Sequence, residues 1–121
     1  MRKLIAALCA LAVFAPAALA ASHFVKVSPS TVKAGKSVRV FGSVGTGCGK
    51  TDTVIVFSRA FKGATTHEFG GVPALFLKQG KHHDFSARVT IRKAIKPGRY
   101  HVGGRCGGGN FGSATLKVVK P

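Results

Sequence analysis

After residue 20 no stretch of this chain repeats its apolar residues at the spacing of a helix, and this most constrains the fold. Short β-branched runs are separated instead by Gly, Pro, Ser and Lys turns, the pattern of an all-β domain. Phe24-Val25-Lys26-Val27 and Ser37-Val38-Arg39-Val40-Phe41 alternate, and residues 85–92 give the cleanest alternation in the chain. Thr53-Val54-Ile55-Val56-Phe57-Ser58 is more continuously apolar, as for a strand covered on both sides. Ala74-Leu75-Phe76-Leu77 reads as a further edge strand. Pro97-Gly98 turns into Arg99-Tyr100-His101-Val102, and residues 114–119 close the domain. Six or seven strands result, at the intervals of a sandwich.

The first twenty residues read differently. Met1-Arg2-Lys3 is a positive start, LIAALCALAVFA over residues 4–15 is an unbroken apolar run, and Ala18-Leu19-Ala20 offers a small-residue cleavage site. These are the three parts of a secretory signal peptide, and the apolar run is short for a membrane span of about 20 residues. Residues 1–20 are therefore expected to be removed, leaving residues 21–121 as one secreted or cell-envelope-associated domain.

Cys9 leaves with the signal, and an even pair remains, Cys48 and Cys106, 58 positions apart. In an oxidising compartment such a pair is expected to form a disulfide. Two free thiols, or half of a metal site, are the other readings.

Val27-Ser28-Pro29, Ala34-Gly35-Lys36-Ser37-Val38 and Lys96-Pro97-Gly98-Arg99-Tyr100-His101-Val102 resemble motifs of bacterial secreted immunoglobulin-like domains. The resemblance spans most of residues 24–119. It implies an immunoglobulin-like antiparallel β-sandwich with one disulfide, and it says little about function. The chain departs from the family in having no Trp and in placing Tyr100 six residues before Cys106. Cys48 follows its strand in a Gly-rich loop, so the bridge should join sheet ends.

Two glycine-rich segments imitate nucleotide-binding loops. Gly45-Thr46-Gly47-Cys48-Gly49-Lys50-Thr51 has Val44 where a P-loop needs its first Gly, and a strand follows instead of a helix. Gly107-Gly108-Gly109-Asn110-Phe111-Gly112 lacks both a following helix and a later acid, and reads as a hairpin loop beside Cys106.

Charge carries the functional argument. The chain has 19 Lys and Arg against three acids, Asp52, Glu68 and Asp84, for a net charge of +16. Loss of Arg2 and Lys3 with the signal leaves +14 on 101 residues, more than the magnitude of about 2–8 that solubility asks of a small domain. So few acids leave little material for carboxylate catalysis, and no nucleophile, base and orienting group fall into a motif, so no enzyme is expected. With alternating residues facing inward, Arg39, Arg88 and Arg92 should lie outside one sheet, and Arg59, Arg99, His101 and Lys117 outside the other.

Positive charge on both faces suits weak, salt-sensitive attraction to anionic cell-wall polymers, lipid headgroups or extracellular nucleic acid, without sequence readout. Most of the eight Phe beyond the signal are expected in the core. Solubility alone is the competing account of the charge. A second functional reading is Cu(II) binding. Cleavage after Ala20 would expose Ala21-Ser22-His23, whose amine, two amides and imidazole make a square-planar nitrogen set. His67-Glu68 and His82-His83-Asp84 could add ligands, and no other cofactor is expected.

Overall fold

A computed structural model describes residues 23–121, and the expected signal peptide and residues 21–22 lie outside the described residues. Nine strands form among the described residues: β1 (Phe24–Ser28), β2 (Thr31–Lys33), β3 (Ser37–Ser43), β4 (Val54–Phe57), β5 (His67–Phe69), β6 (Val72–Leu77), β7 (Asp84–Thr90), β8 (Gly98–Cys106) and β9 (Gly109–Val119). They make a three-stranded sheet, β1-β3-β7, and a six-stranded sheet, β2-β9-β8-β4-β6-β5.

Alternation sets which residues meet between the sheets. Val38 and Val40 of β3 and Val89 of β7 point inward from the smaller sheet, and Val54, Val56, Val102, Leu116 and Val118 from the larger. Together with Phe61 and Ile91 they belong to one buried cluster. Burying each such side chain contributes about 1.5–3 kcal/mol.

The strand count exceeds the expected six or seven because two three-residue strands are too short to show a period. Beyond the cis Ser28–Pro29 bond the chain leaves the first sheet, and β2 pairs in parallel with β9. The larger sheet is therefore mixed rather than purely antiparallel. β5 folds back on β6 through Gly70 and Gly71, whose φ of 60° and 82° suit a tight hairpin turn. The residue 74–77 run is accordingly not an edge strand; β5 takes the edge. Nor is β4 covered on both sides, since Ile55 and Phe57 are half exposed on the outer face.

The disulfide is formed. Cys48, in the loop after β3, bonds Cys106 at the end of β8 across a Cα–Cα distance of 5.8 Å, within the usual range. It ties the β3–β4 loop to the tip of the β8–β9 hairpin, at the sheet ends. That tip is a turn of only two residues, Gly107 and Gly108 (φ 62° and 84°), and β9 begins at Gly109, where a longer loop was expected. At the other end of β8, the Tyr100 hydroxyl donates to the Lys96 carbonyl at 2.5 Å and fastens the Pro97–Gly98 turn.

Candidate functional site

The three-stranded sheet presents one basic face. Arg39 of β3 and Arg88 of β7 are register partners, both exposed. Arg39 Nε donates to Ser86 Oγ at 2.9 Å, and its guanidinium lies 4.3 Å from the centroid of the Phe41 ring. Lys26 of β1 is opposite Phe41, with Nζ 5.6 Å from the Phe24 ring. The rings hold both cations against the sheet by cation–π attraction without neutralising them. Arg92 does not share this face. β7 ends at Thr90, Ile91 turns fully into the core, and Arg92 Nη1 donates to the Gly63 carbonyl at 2.7 Å. It lines instead a surface cleft of about 520 Å³ with Lys62 and Lys93.

A second like-charge pair stands on the six-stranded sheet, where Arg99 of β8 and Lys117 of β9 are register partners. Arg59 is not on a strand as expected. Ser58 is buried and its Oγ accepts from Ala60 N at 3.1 Å, capping a 3-10 turn at Arg59–Phe61 that ends β4's run. The turn nevertheless brings Arg59 to a cleft of about 300 Å³ shared with Arg99, Tyr100, His101 and Phe57. Four of the six expected basic residues thus form two opposed pairs, Arg59 joins one of them, and Arg92 stands apart.

The aromatic residues overturn an expectation. Phe61, Phe85 and Phe111 are buried, whereas Phe24, Phe41, Phe57 and Phe69 are half exposed and Phe76 is 47% exposed. Their register explains this: Phe57 lies one residue beyond inward-facing Val56, and Phe76 is opposite outward-facing Ile55. On the outer face of the six-stranded sheet the Phe57 ring centroid is 5.6 Å from Phe69 and 6.1 Å from His101. His67 and Phe76 pair at 5.5 Å beside them. Arg105, missed by sequence reasoning, lies with its guanidinium 5.2 Å from the Phe69 centroid. No sequence pattern marks it; only its register opposite outward-facing Ile55 shows it on this face.

At the disulfide, the ligand atoms of Cys48, Asp52 and Cys106 lie within 4.8 Å of one another, a metal-like grouping. Both sulfurs are bonded to each other, and Asp52 Oδ2 accepts from Gly49 N at 3.0 Å, so the carboxylate serves the turn. His23 Nδ1 is 2.6 Å from the Phe111 carbonyl oxygen. An amino-terminal copper set closes its six-membered chelate ring through that same Nδ1, so copper would have to break this hydrogen bond. After Lys50-Thr51 the chain enters β4 directly, and no helix faces a phosphate there.

No protein-family model matches the chain, and no curated protein matches it. Solved structures do. The chain is similar to the alkylpurine DNA glycosylase AlkC of Pseudomonas fluorescens, solved bound to DNA containing an abasic site analog, with a TM-score of 0.53 and 19% identity. That match covers 79% of this chain but only 29% of the glycosylase. An uncharacterized protein from Bacillus anthracis str. Ames is similar at a TM-score of 0.53 and 21% identity, over 82% of this chain and 85% of that one. A superoxide reductase (neelaredoxin) from Ignicoccus hospitalis matches at 0.45 and 17%, over 81% and 80% of the two chains. At these identities the likeness concerns the fold alone.

Proposed function

We propose that this protein is a secreted, non-catalytic, immunoglobulin-like β-sandwich module that associates with polyanions at the cell envelope or outside the cell. The immunoglobulin-like reading is supported by the pairing of β1, β3 and β7 against a larger sheet with β9, β8 and β4 adjacent. The Tyr100–Lys96 hydrogen bond adds to it, since it ties a tyrosine near the start of a late strand to backbone just upstream.

One observation carries the functional reading: each sheet holds two cations directly opposite each other, Arg39 with Arg88 and Arg99 with Lys117. Like charges at one register position destabilise a sheet by several tenths of a kcal/mol, and a bound anion between them reverses the sign. With three acids for 19 basic residues, one-to-one pairing within the chain can satisfy few of them. An anionic polymer supplies the missing charge along its length and releases its own counterions on binding.

Retention on phosphatidylglycerol vesicles and on immobilised inorganic polyphosphate, measured between about 50 and about 500 mM salt, tests the reading. Binding should fall steeply with salt and weaken in an Arg39→Gln/Arg88→Gln variant. Absence of binding at the lowest salt contradicts it.

A further inference from the structure

We propose that the outer face of the six-stranded sheet is a stacking platform for single-stranded nucleic acid. The inference rests on the polyanion reading and names the polyanion for this face.

The platform is built by small neighbours. Phe57 has Ala74 opposite it on β6 and Gly103 opposite it on β8. Gly103 is needed there: a Cβ would come within 2.5 Å of Phe57 Cζ and 2.9 Å of His101 Cε1. With no side chain at Gly103, the Phe57 ring can spread toward β8 and meet His101, while Phe69 closes in from the β5 side. Phe76, the most exposed of the large apolar side chains described, extends the aromatic surface beside His67.

Cations are set among these rings. Arg105 is held by Asn110 Oδ1 at 3.1 Å and by the Gly108 carbonyl at 2.8 Å, which leaves its guanidinium over Phe69. Arg99 and Lys117 stand on the β8–β9 side of the same face, and Arg59 reaches the Phe57 edge.

Rings with one held guanidinium among them and further cations beside them match a ligand that alternates flat rings with single negative charges. A single-stranded nucleic acid is such a ligand, and stacking with backbone neutralisation binds it without reading its sequence. A lipid surface fits less well. Phe57 and Phe69 are half buried and packed on each other, so they lie along the sheet instead of projecting into acyl chains. An anionic glycan fits less well too. Its hydroxyls need acceptors as well as donors, and the cations of this face only donate.

The test compares three probes at one salt concentration: an oligothymidylate of about twelve nucleotides, inorganic polyphosphate of equal charge, and phosphatidylglycerol vesicles. Phe76→Leu keeps an apolar side chain at an exposed site and removes only the π-face; Phe57→Leu repeats the test at the centre. The protein should bind the oligonucleotide at least about 5-fold more tightly than polyphosphate, and each variant should lose about that factor for the oligonucleotide alone. If oligonucleotide and polyphosphate bind equally and the variants change neither, the platform is overturned while the polyanion reading stands. If none of the three probes binds, both fall. If Phe76→Leu weakens vesicle retention and leaves the oligonucleotide untouched, the face is a membrane surface and the proposal is overturned.

Discussion

Arg39 and Arg88 stand directly opposite each other on β3 and β7, two exposed cations at one register position of the three-stranded sheet. Ser86 and the Phe41 ring hold Arg39 in place without cancelling its charge. The arrangement sets stability against binding. Arg88→Glu turns repulsion into attraction and should stabilise the free protein by about 0.2–1 kcal/mol at low salt. The same change should weaken polyphosphate binding and lower the salt slope by about one for the lost cation. Thermal melting without ligand and retention with it, on one preparation, give both signs. A variant that melts higher and binds as well as before would separate the pair from the function.

The disulfide closes a loop of 58 positions between the β3–β4 loop and the β8–β9 hairpin. In the chain-entropy account a loop of that length contributes about 4 kcal/mol. A Cys48→Ser/Cys106→Ser variant should therefore melt about 15–30 °C below the oxidised protein in a domain of this size. A loss of only a few degrees would place the stability elsewhere.

Gly103 and Gly104 are adjacent on β8 and face opposite ways, so they should respond differently to the same substitution. A Cβ at Gly104 meets Phe111 Cζ at 2.5 Å and Val25 Cγ2 at 2.8 Å, both side chains of the core. Gly104→Ala should cost about 1–3 kcal/mol in urea denaturation, as overpacking does. Gly103→Ala pushes on Phe57 at the half-exposed outer face, where the ring can yield. It should cost less stability and fall more heavily on oligonucleotide binding.

Tyr100→Phe removes only the hydroxyl that donates to the Lys96 carbonyl. The expected loss is about 1 kcal/mol in urea denaturation with an unchanged m-value, since the exposed surface stays the same. A changed m-value would mean that the turn organises more than its own end of the sheet.

Where the period was long, the fold was legible. Val38 and Val40 against Arg39, and Val89 against Arg88, assign inside and outside by alternation alone, and the structure places all five accordingly. The disulfide partners followed from counting. The three-residue strands β2 and β5 carry no period and were missed, and with β2 went the one parallel pairing among the described residues. The aromatic face escaped for another reason. Phe in an apolar run reads as core, and only the register of β4 against β6 and β8 shows Phe57 and Phe76 turned outward. Arg59 was misplaced because Ser58 caps a 3-10 turn where the strand was expected to end on the sheet.

Association with polyanions is the proposed role of this charge. The most direct measurement is the salt dependence of polyphosphate binding, taken for the protein and for a variant in which Arg39, Arg88, Arg99 and Lys117 are all replaced by Gln. We expect log affinity to fall linearly with log salt for the protein, with a slope shallower by about one for each replaced cation that touches phosphate. Equal slopes for the two proteins, or no binding by either, would contradict the account.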